Sequence, residues 1–481
     1  MEVEASMSAR RGLPPIAGLF LIVLCCPALQ AQQPDTLRDS VARQVARLTR
    51  ELEALRLEVR RQAAVLTQRD SAALEGERQA GRQAPAPDQR YGQVSGIASR
   101  PFLYRGVNAA VGGYVDLEFA RDFDAGTTTF TQHRLIPFIF AEISDRLHFG
   151  TEIEIEYGGP QSPTRDGEIK VEFAAFDIGL AEGLNVRAGA LLSPLGKFNL
   201  IHDSPVNDLT DRPLVDNRII PTTLTEAGAG VFGRLYPSSG SVLTYEAYVV
   251  NGFNNSVLSY GVNAGTGAIT PAMNVRSARG SLRTDNNPEK SVVGRVAFSP
   301  LLGVELGLSG HTGRYADGGS GRLTVGAVDA IVARARWELL GEFATASVTV
   351  DDANERLRAR PVYRQATGDT TTAGFNAAYA AAPFTTKQRG AYLQFNYHFL
   401  QGRVPGFPNS TFTGVVRADH LDLDADRDGN VQQRLSVGLN WRPIEQSAVK
   451  LDYQWNWLTP TGASTSLPPS NRLVASVATY F

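Results

Sequence analysis

The chain has 481 residues, 43% of them apolar, with 46 Gly, 26 Pro, two Cys and a formal net charge of −2. That apolar share excludes a disordered chain, and the near-neutral balance gives no footing for bulk nucleic-acid binding, which needs a basic face. At ~150 residues per domain, the length fits about three domains or one large β-barrel.

The basic residues are skewed. Five are Lys (170, 197, 290, 387 and 450) and 42 are Arg, the side chain suited to permanent charge and planar pairing with carboxylate or phosphate. Arg10 and Arg11 precede the apolar run 16–26, and Pro27-Ala28-Leu29-Gln30-Ala31 follows it. This is the layout of a signal peptide over 1–31, with an apolar run short of the ~20 residues of a membrane helix. Cys25 and Cys26 both lie inside it, so the processed chain is expected to carry no thiol and no disulfide.

Next comes a helical seam. Val41, Val45, Leu48, Leu52, Leu55, Val59, Gln62 and Leu66 follow one another at alternating steps of four and three. That spacing predicts a coiled-coil stalk over 35–67, with Gln62 as the one polar seam residue. From 68 to 99 the chain is polar and rich in Ala, Gln, Pro and Gly, the composition of a linker.

From 100 to 481 the period changes to two. Leu147, Phe149, Ile153, Ile155 and Tyr157 share one face of a strand, opposite His148, Glu152, Glu154 and Glu156. Val449, Leu451, Tyr453, Trp455 and Trp457 repeat the pattern opposite Lys450, Asp452, Gln454 and Asn456. Strands of ~10 residues with one apolar and one strongly polar face predict a transmembrane antiparallel β-barrel. Sixteen strands are expected, at 111–119, 130–143, 147–157, 168–178, 184–192, 227–235, 242–252, 291–298, 303–311, 323–335, 338–349, 390–399, 411–422, 431–441, 447–457 and 471–481. The break near Trp337 is the least marked, and the count could move between 14 and 18 with it. Connections alternate short and long, the long ones being 193–226, 253–290 and 350–389. That is the asymmetry of short periplasmic turns and long external loops.

The final strand alternates Leu473, Ala475, Val477, Thr479 and Phe481. A last strand ending on an aromatic resembles the signal by which outer-membrane proteins engage their assembly machinery. The stretches "GGYVDLEF" from Gly112, "FGTEIEIEYGG" from Phe149, "GEIKVEFAAFDI" from Gly167, "NVRAGALLSPLGKFN" from Asn185 and "DRPLVDNRIIPTTLTEAGAGVFGRL" from Asp211 resemble the outer-membrane porin superfamily that includes the phosphate-selective porin O and P family. "VVGRVAFSPLLGVELGLSGHTG" from Val292 and the closing strands fit the same plan. The resemblance covers about four-fifths of the chain. It implies a homotrimer of sixteen-stranded barrels in the outer membrane of a Gram-negative-type bacterium, and a three-stranded stalk in the periplasm.

A barrel's polar face is its conduction path, where charged rings set ion preference. Alternation turns Glu152, Glu154, Glu156, Lys170, Glu172, Arg187, Arg234 and Arg295 inward. The third external connection, 193–226, is expected to fold inward as a constriction carrying His202, Asp203, Asp208, Asp211, Arg212, Asp216 and Arg218. In the phosphate-selective family the filter is rich in lysine. Here Lys is scarce, and from residue 97 onward 34 basic residues face 38 acidic ones. A mixed-charge channel for small hydrophilic solutes is therefore expected, with phosphate-like or carboxylate anions met by an Arg cluster. The competing expectation is a structural anchor, its barrel plugged and its stalk acting as a tether.

Other chemistry finds little support. Asp424, Asp426 and Asp428 open a Ca²⁺-loop pattern, but the twelfth position is Leu435 in place of the bidentate Glu. The six His residues lack metal-ligand spacing, and no nucleophile elbow or phosphate-binding Gly loop occurs, so neither a cofactor nor an enzyme is expected. Ser309 and His311 share a strand face and read as solvated lining.

Overall fold

The computed structural model describes residues 108–160, 167–181, 183–459 and 470–481. The signal-like segment 1–31, the heptad seam 35–67 and the linker 68–99 lie outside the described residues, as does 100–107 at the expected start of the barrel.

The strands are β1 (Asn108–Asp122), β2 (Thr128–Ser144), β3 (Leu147–Glu156), β4 (Glu168–Ala181), β5 (Leu184–Leu192), β6 (Thr225–Leu235), β7 (Val242–Val250), β8 (Leu258–Val262) and β9 (Ile269–Met273). They continue with β10 (Ser291–Leu301), β11 (Val304–Arg314), β12 (Arg322–Arg334), β13 (Trp337–Thr349), β14 (Lys387–Phe399), β15 (Thr411–Asp422), β16 (Val431–Arg442), β17 (Ser447–Thr459) and β18 (Arg472–Tyr480). Strands β1 to β7 and β10 to β18 close a sixteen-stranded antiparallel barrel, with β10 beside β7 and β18 returning to β1. At the seam Tyr114 faces Tyr480, and the amide of Gly113 donates to the carbonyl of Phe481 at 3.1 Å. The break at Trp337 is a true hairpin, with Arg334 paired to Trp337.

The wall inverts the burial order of a soluble protein. On β17, outward Leu451, Trp455 and Trp457 are exposed, while inward Lys450, Asp452 and Gln454 are buried. On β14, outward Leu393, Phe395 and Tyr397 are exposed, and inward Gln394 and Asn396 are buried. An apolar outer surface around closed strands has every backbone group paired and a greasy face turned out, the surface of a transmembrane barrel. Near the short-turn end, Tyr397, Phe399, Phe412, Trp441 and Phe407 form a chain of ring contacts. Such aromatics suit the polar–apolar boundary of a bilayer.

The long connections carry structure that periodicity did not foretell. Between β7 and β10, β8 and β9 form a separate two-stranded hairpin. The third connection holds the one-turn helix α1 (Val215–Arg218). Between β13 and β14 lie α2 (Asp352–Thr367) and α3 (Thr372–Ala380). Asp351 caps α2 by accepting the Asn354 amide at 3.0 Å, and Gly368, at φ +72°, ends it. Tyr363, Phe375 and Tyr379 of these helices pack with Ile269 of β9 in a small core of their own.

The principal apolar core sits inside the barrel. Leu214, Val215, Ile219, Ile220 and Leu224 of the third connection meet Val257, Leu258, Met273 and Val275 of the next long one. Both pack on inward Val293, Val325, Ala327, Ala344, Ala346 and Val348 from β10, β12 and β13. Part of the lumen is thus filled by a dry, packed core. The charged residues gather on the remaining wall.

Candidate functional site

The segment 193–224, between β5 and β6, crosses the lumen and is tied down along its length. Its start is held by the far wall: the amide of Gly196 donates to Ser309 Oγ at 2.9 Å and that of Lys197 to Glu342 Oε2 at 2.8 Å. Gly196 has φ +72°, and an added Cβ would lie 2.3 Å from Glu342 Oε1, so this approach depends on glycine. Further along, Lys450 Nζ donates to the carbonyl of Ser204, and Tyr480 donates to Asp203 at 2.8 Å. Asp208 accepts from Asn396, Asn440 and Arg442 at 2.8, 2.9 and 3.1 Å. Thr210 donates to Asp452, and Asp419 accepts the amide of Leu214. Buried Arg417 donates to the carbonyls of Asp211 and Arg212 at 3.0 and 3.3 Å while pairing with Asp419. A cavity between this segment and β12 to β15 measures about 40 Å³, room for a few waters.

The acidic wall lies on β2 to β4. Arg134 of β2 pairs with Glu154 at 3.0 Å and Glu156 at 3.2 Å, and Lys170 of β4 also pairs with Glu154. Glu172 accepts from Thr223 Oγ1 at 2.8 Å and lies 3.3 Å from His202 Nε2, so the crossing segment is seated on this wall as well. Glu152, Glu154 and Glu172 are buried beneath it.

Opposite these carboxylates stand arginines from two connections. Arg212 and Arg276 both donate to the carbonyl of Thr222, and Arg279 donates to that of Thr223 at 3.2 Å. Arg218, at the end of α1, is exposed near them. Among the described residues, Arg212, Arg218, Arg276 and Arg279 make no ion pair, and Arg212 Nη2 is buried without a hydrogen bond. Burial, then the charge of Arg134, pulls the Arg212 guanidinium down to about 10 against the pull of Glu154 and Glu172. Burial and the neighbouring charge of Arg279 lower Arg276 likewise. The cluster of cations is thus held together by main-chain carbonyls, with Glu154, Glu156 and Glu172 close enough to act on it.

The other sequence-derived candidates take different places. Arg187 is bidentate to Asp177 at 2.7 and 2.8 Å and lies over the Phe232 ring. Arg295 pairs with Asp329 and, at 3.3 Å, with Glu305. Arg234 is exposed on the inward face of β6 and borders a cavity of about 400 Å³ with Phe232 and Glu246. Asp211 pairs with Arg472 at 3.3 Å and Arg434 at 3.7 Å; burial pushes its carboxyl up, but these cations hold it below the usual range. Asp216 is fully buried against Glu342 with no donor to either oxygen, and burial and then the Glu342 carboxylate push it well above that range.

Ser309 and His311 are buried, not solvated. Ser309 anchors the crossing segment and His311 Nε2 lies 2.9 Å from Glu226. Asp424 pairs with Arg427, while Asp426 accepts from the amide and hydroxyl of Thr386 and the amide of Lys387. Asp424 and Asp426 of the Ca²⁺-like pattern therefore serve separate loop contacts.

Arg134, Arg276, Arg279, Glu342 and Arg417 lie outside the set that alternation and the third connection mark out in the sequence. Arg134 follows a β-bulge, because Asp116 pairs with Arg134 but Leu117 with Gln132, and this shifts the alternation by one. The two loop arginines carry no periodic signal at all.

No family model matches the chain. An uncharacterized protein of Aquifex aeolicus (strain VF5) is 26% identical over 379 residues, 77% of this chain and 80% of its own. Solved structures with a similar fold include OmpF of Salmonella typhi in complex with daunomycin, at TM-score 0.46 and 11% identity over 78% of this chain and 97% of that one. An anion-selective porin from Comamonas acidovorans gives 0.44 and 11%, covering 78% and 100%. The outer membrane channel DcaP of Acinetobacter baumannii gives 0.42 and 10%, covering 78% and 98%.

Proposed function

We propose that this chain is an outer-membrane porin through which small hydrophilic solutes diffuse, with anions such as carboxylates favoured over cations of equal size. The observation that carries the reading is the group Arg212, Arg218, Arg276 and Arg279, free of ion pairs among the described residues and facing the Glu154–Glu156 wall. A transverse field between cations and carboxylates orients a polar solute, and the uncompensated side decides which ions are concentrated there. The lysine-rich filter of the phosphate-selective family has no counterpart here, since none of the five lysines belongs to the cluster, so the reading extends to small anions and not to phosphate in particular. In this reading the barrel assembles as a homotrimer, with the 35–67 seam as its periplasmic stalk and 1–31 removed on export.

Liposome swelling tests the function directly. Vesicles carrying the folded protein should swell faster in small carboxylate salts than in neutral sugars of matched size. A second reading has an observation of its own. The tight seating of 193–224 and the apolar core inside the barrel suit a plugged structural anchor, and swelling no faster than protein-free vesicles would favour it.

A further inference from the structure

On the lumenal face of β1 and β2, three groups of two chemistries converge. The bulge in β2 turns His133 inward beside Arg134, and its Nδ1 lies 2.6 Å from Glu118 Oε1 and 3.2 Å from Asp116 Oδ2. Asp116, Glu118 and His133 can each present one ligand atom such that all three lie within 4.8 Å of one another. The imidazole has one Nδ1 hydrogen at most, and it serves Asp116. Asp116 Oδ1 is buried with no hydrogen-bond partner, Glu118 Oε1 has the His133 nitrogen beside it, and Asp116 is only 1% exposed.

Buried carboxylate oxygens without donors are costly; His133 meets both carboxylates through a single nitrogen, and the other cations nearby are engaged elsewhere. Arg134 is committed to Glu154 and Glu156, and Lys450 to the carbonyls of Ser204 and Leu209. A divalent ion would satisfy both oxygens and the ring nitrogen together. We propose that Asp116, Glu118 and His133 form a binding site for a divalent transition-metal ion, of which Zn²⁺ is the representative probe.

One imidazole nitrogen and two carboxylates are a donor set that Zn²⁺ accepts, at roughly 2.0–2.2 Å from each ligand atom. Ligands at that radius in tetrahedral array stand about 3.3–3.6 Å apart, so Glu118 must withdraw by about 0.7–1 Å from His133. Asp116 and Glu118 are two apart on one strand and His133 lies on its neighbour, so the closed sheet holds the site without help from any loop.

The test is Zn²⁺ titration of the tag-free, folded, detergent-purified chain by calorimetry, alongside Co²⁺ absorption as a spectroscopic reporter. One ion per chain is expected, with a visible band from Co²⁺ in a low-coordinate nitrogen–oxygen site. His133→Ala should weaken binding at least about tenfold, and Glu118→Gln should do so as well. Glu168→Gln, in the separate cluster of Glu154, Glu156 and Glu168, should leave it unchanged. Heat-modifiable migration shows which variants fold, and Glu118→Gln carries the test if His133→Ala does not. No saturable uptake by folded protein, uptake indifferent to both substitutions, or loss on Glu168→Gln alone would overturn the assignment.

Discussion

Arg212 and Arg276, from two different long connections, donate to one and the same acceptor, the carbonyl oxygen of Thr222. Guanidinium groups sharing an acceptor repel each other, and neither has a carboxylate within ion-pair distance among the described residues. The repulsion is sustained by the seating of both connections in the apolar core around Ile219, Ile220 and Val275. The packing of one half of the lumen thereby creates the electrostatics of the other.

Removing either arginine should change ion preference more than conductance. Arg212→Ala or Arg276→Ala is expected to roughly halve the anion-to-cation permeability ratio, since the fixed charge near the path sets that ratio. Reversal potentials under a salt gradient measure it. Glu154→Gln should move the ratio the opposite way.

Arg417 should matter for stability. It is 2% exposed, pairs with Asp419 and holds two carbonyls of the crossing segment. Arg417→Ala strands a buried carboxylate and is expected to cost roughly 3 kcal/mol. The temperature at which the folded form is lost from heat-modifiability gels should fall accordingly, while Arg403→Ala, with no ion pair among the described residues, leaves it in place.

The crossing segment also carries a pH dependence of definite sign. Asp216 is pushed well above its ordinary value by burial and by Glu342, and it faces Asp419, Arg417 and Tyr392 as well. The folded state then holds a proton that the unfolded chain releases, so this group's contribution declines as pH rises above the unfolded value near 4. Asp216→Asn should gain thermal stability over the parent at about pH 8 and show little difference at about pH 4. A scan of unfolding temperature against pH for both proteins measures the gap.

Gly196 is the hinge by which the segment leaves β5. Its φ of +72° and the closeness of Glu342 and Ile220 leave no space for a side chain. Gly196→Ala should cost roughly 1–2 kcal/mol from backbone conformation alone, with the clash added to it. Faster tryptic cleavage at Arg212 or Arg218 would report the loosened segment.

The barrel was legible because a membrane wall writes its polarity into the sequence at period two. Lys450, Asp452, Gln454 and Asn456 alternate with apolar neighbours, and β17 is where that pattern placed it. The sixteen expected strands match the barrel to within a few residues at each end. The helices α2 and α3 escaped, since α2 contains Pro361 and shows no apolar stripe, although Asp351 and Gly368 were present as caps. The partly filled lumen does leave a trace in the sequence: in β12, inward Leu323, Val325 and Ala327 are as apolar as outward Val328. A strand apolar on both faces signals a dry interior. The arginine cluster left none, because it is assembled from loops by packing.

The most direct measurement is the current through single molecules of the folded protein in a planar bilayer, with the reversal potential read under a KCl gradient. Three equal conductance steps per insertion and a reversal potential of the sign for chloride preference are expected. Folded, heat-modifiable protein that inserts and passes no current, or that conducts with cation preference, would contradict the central claim.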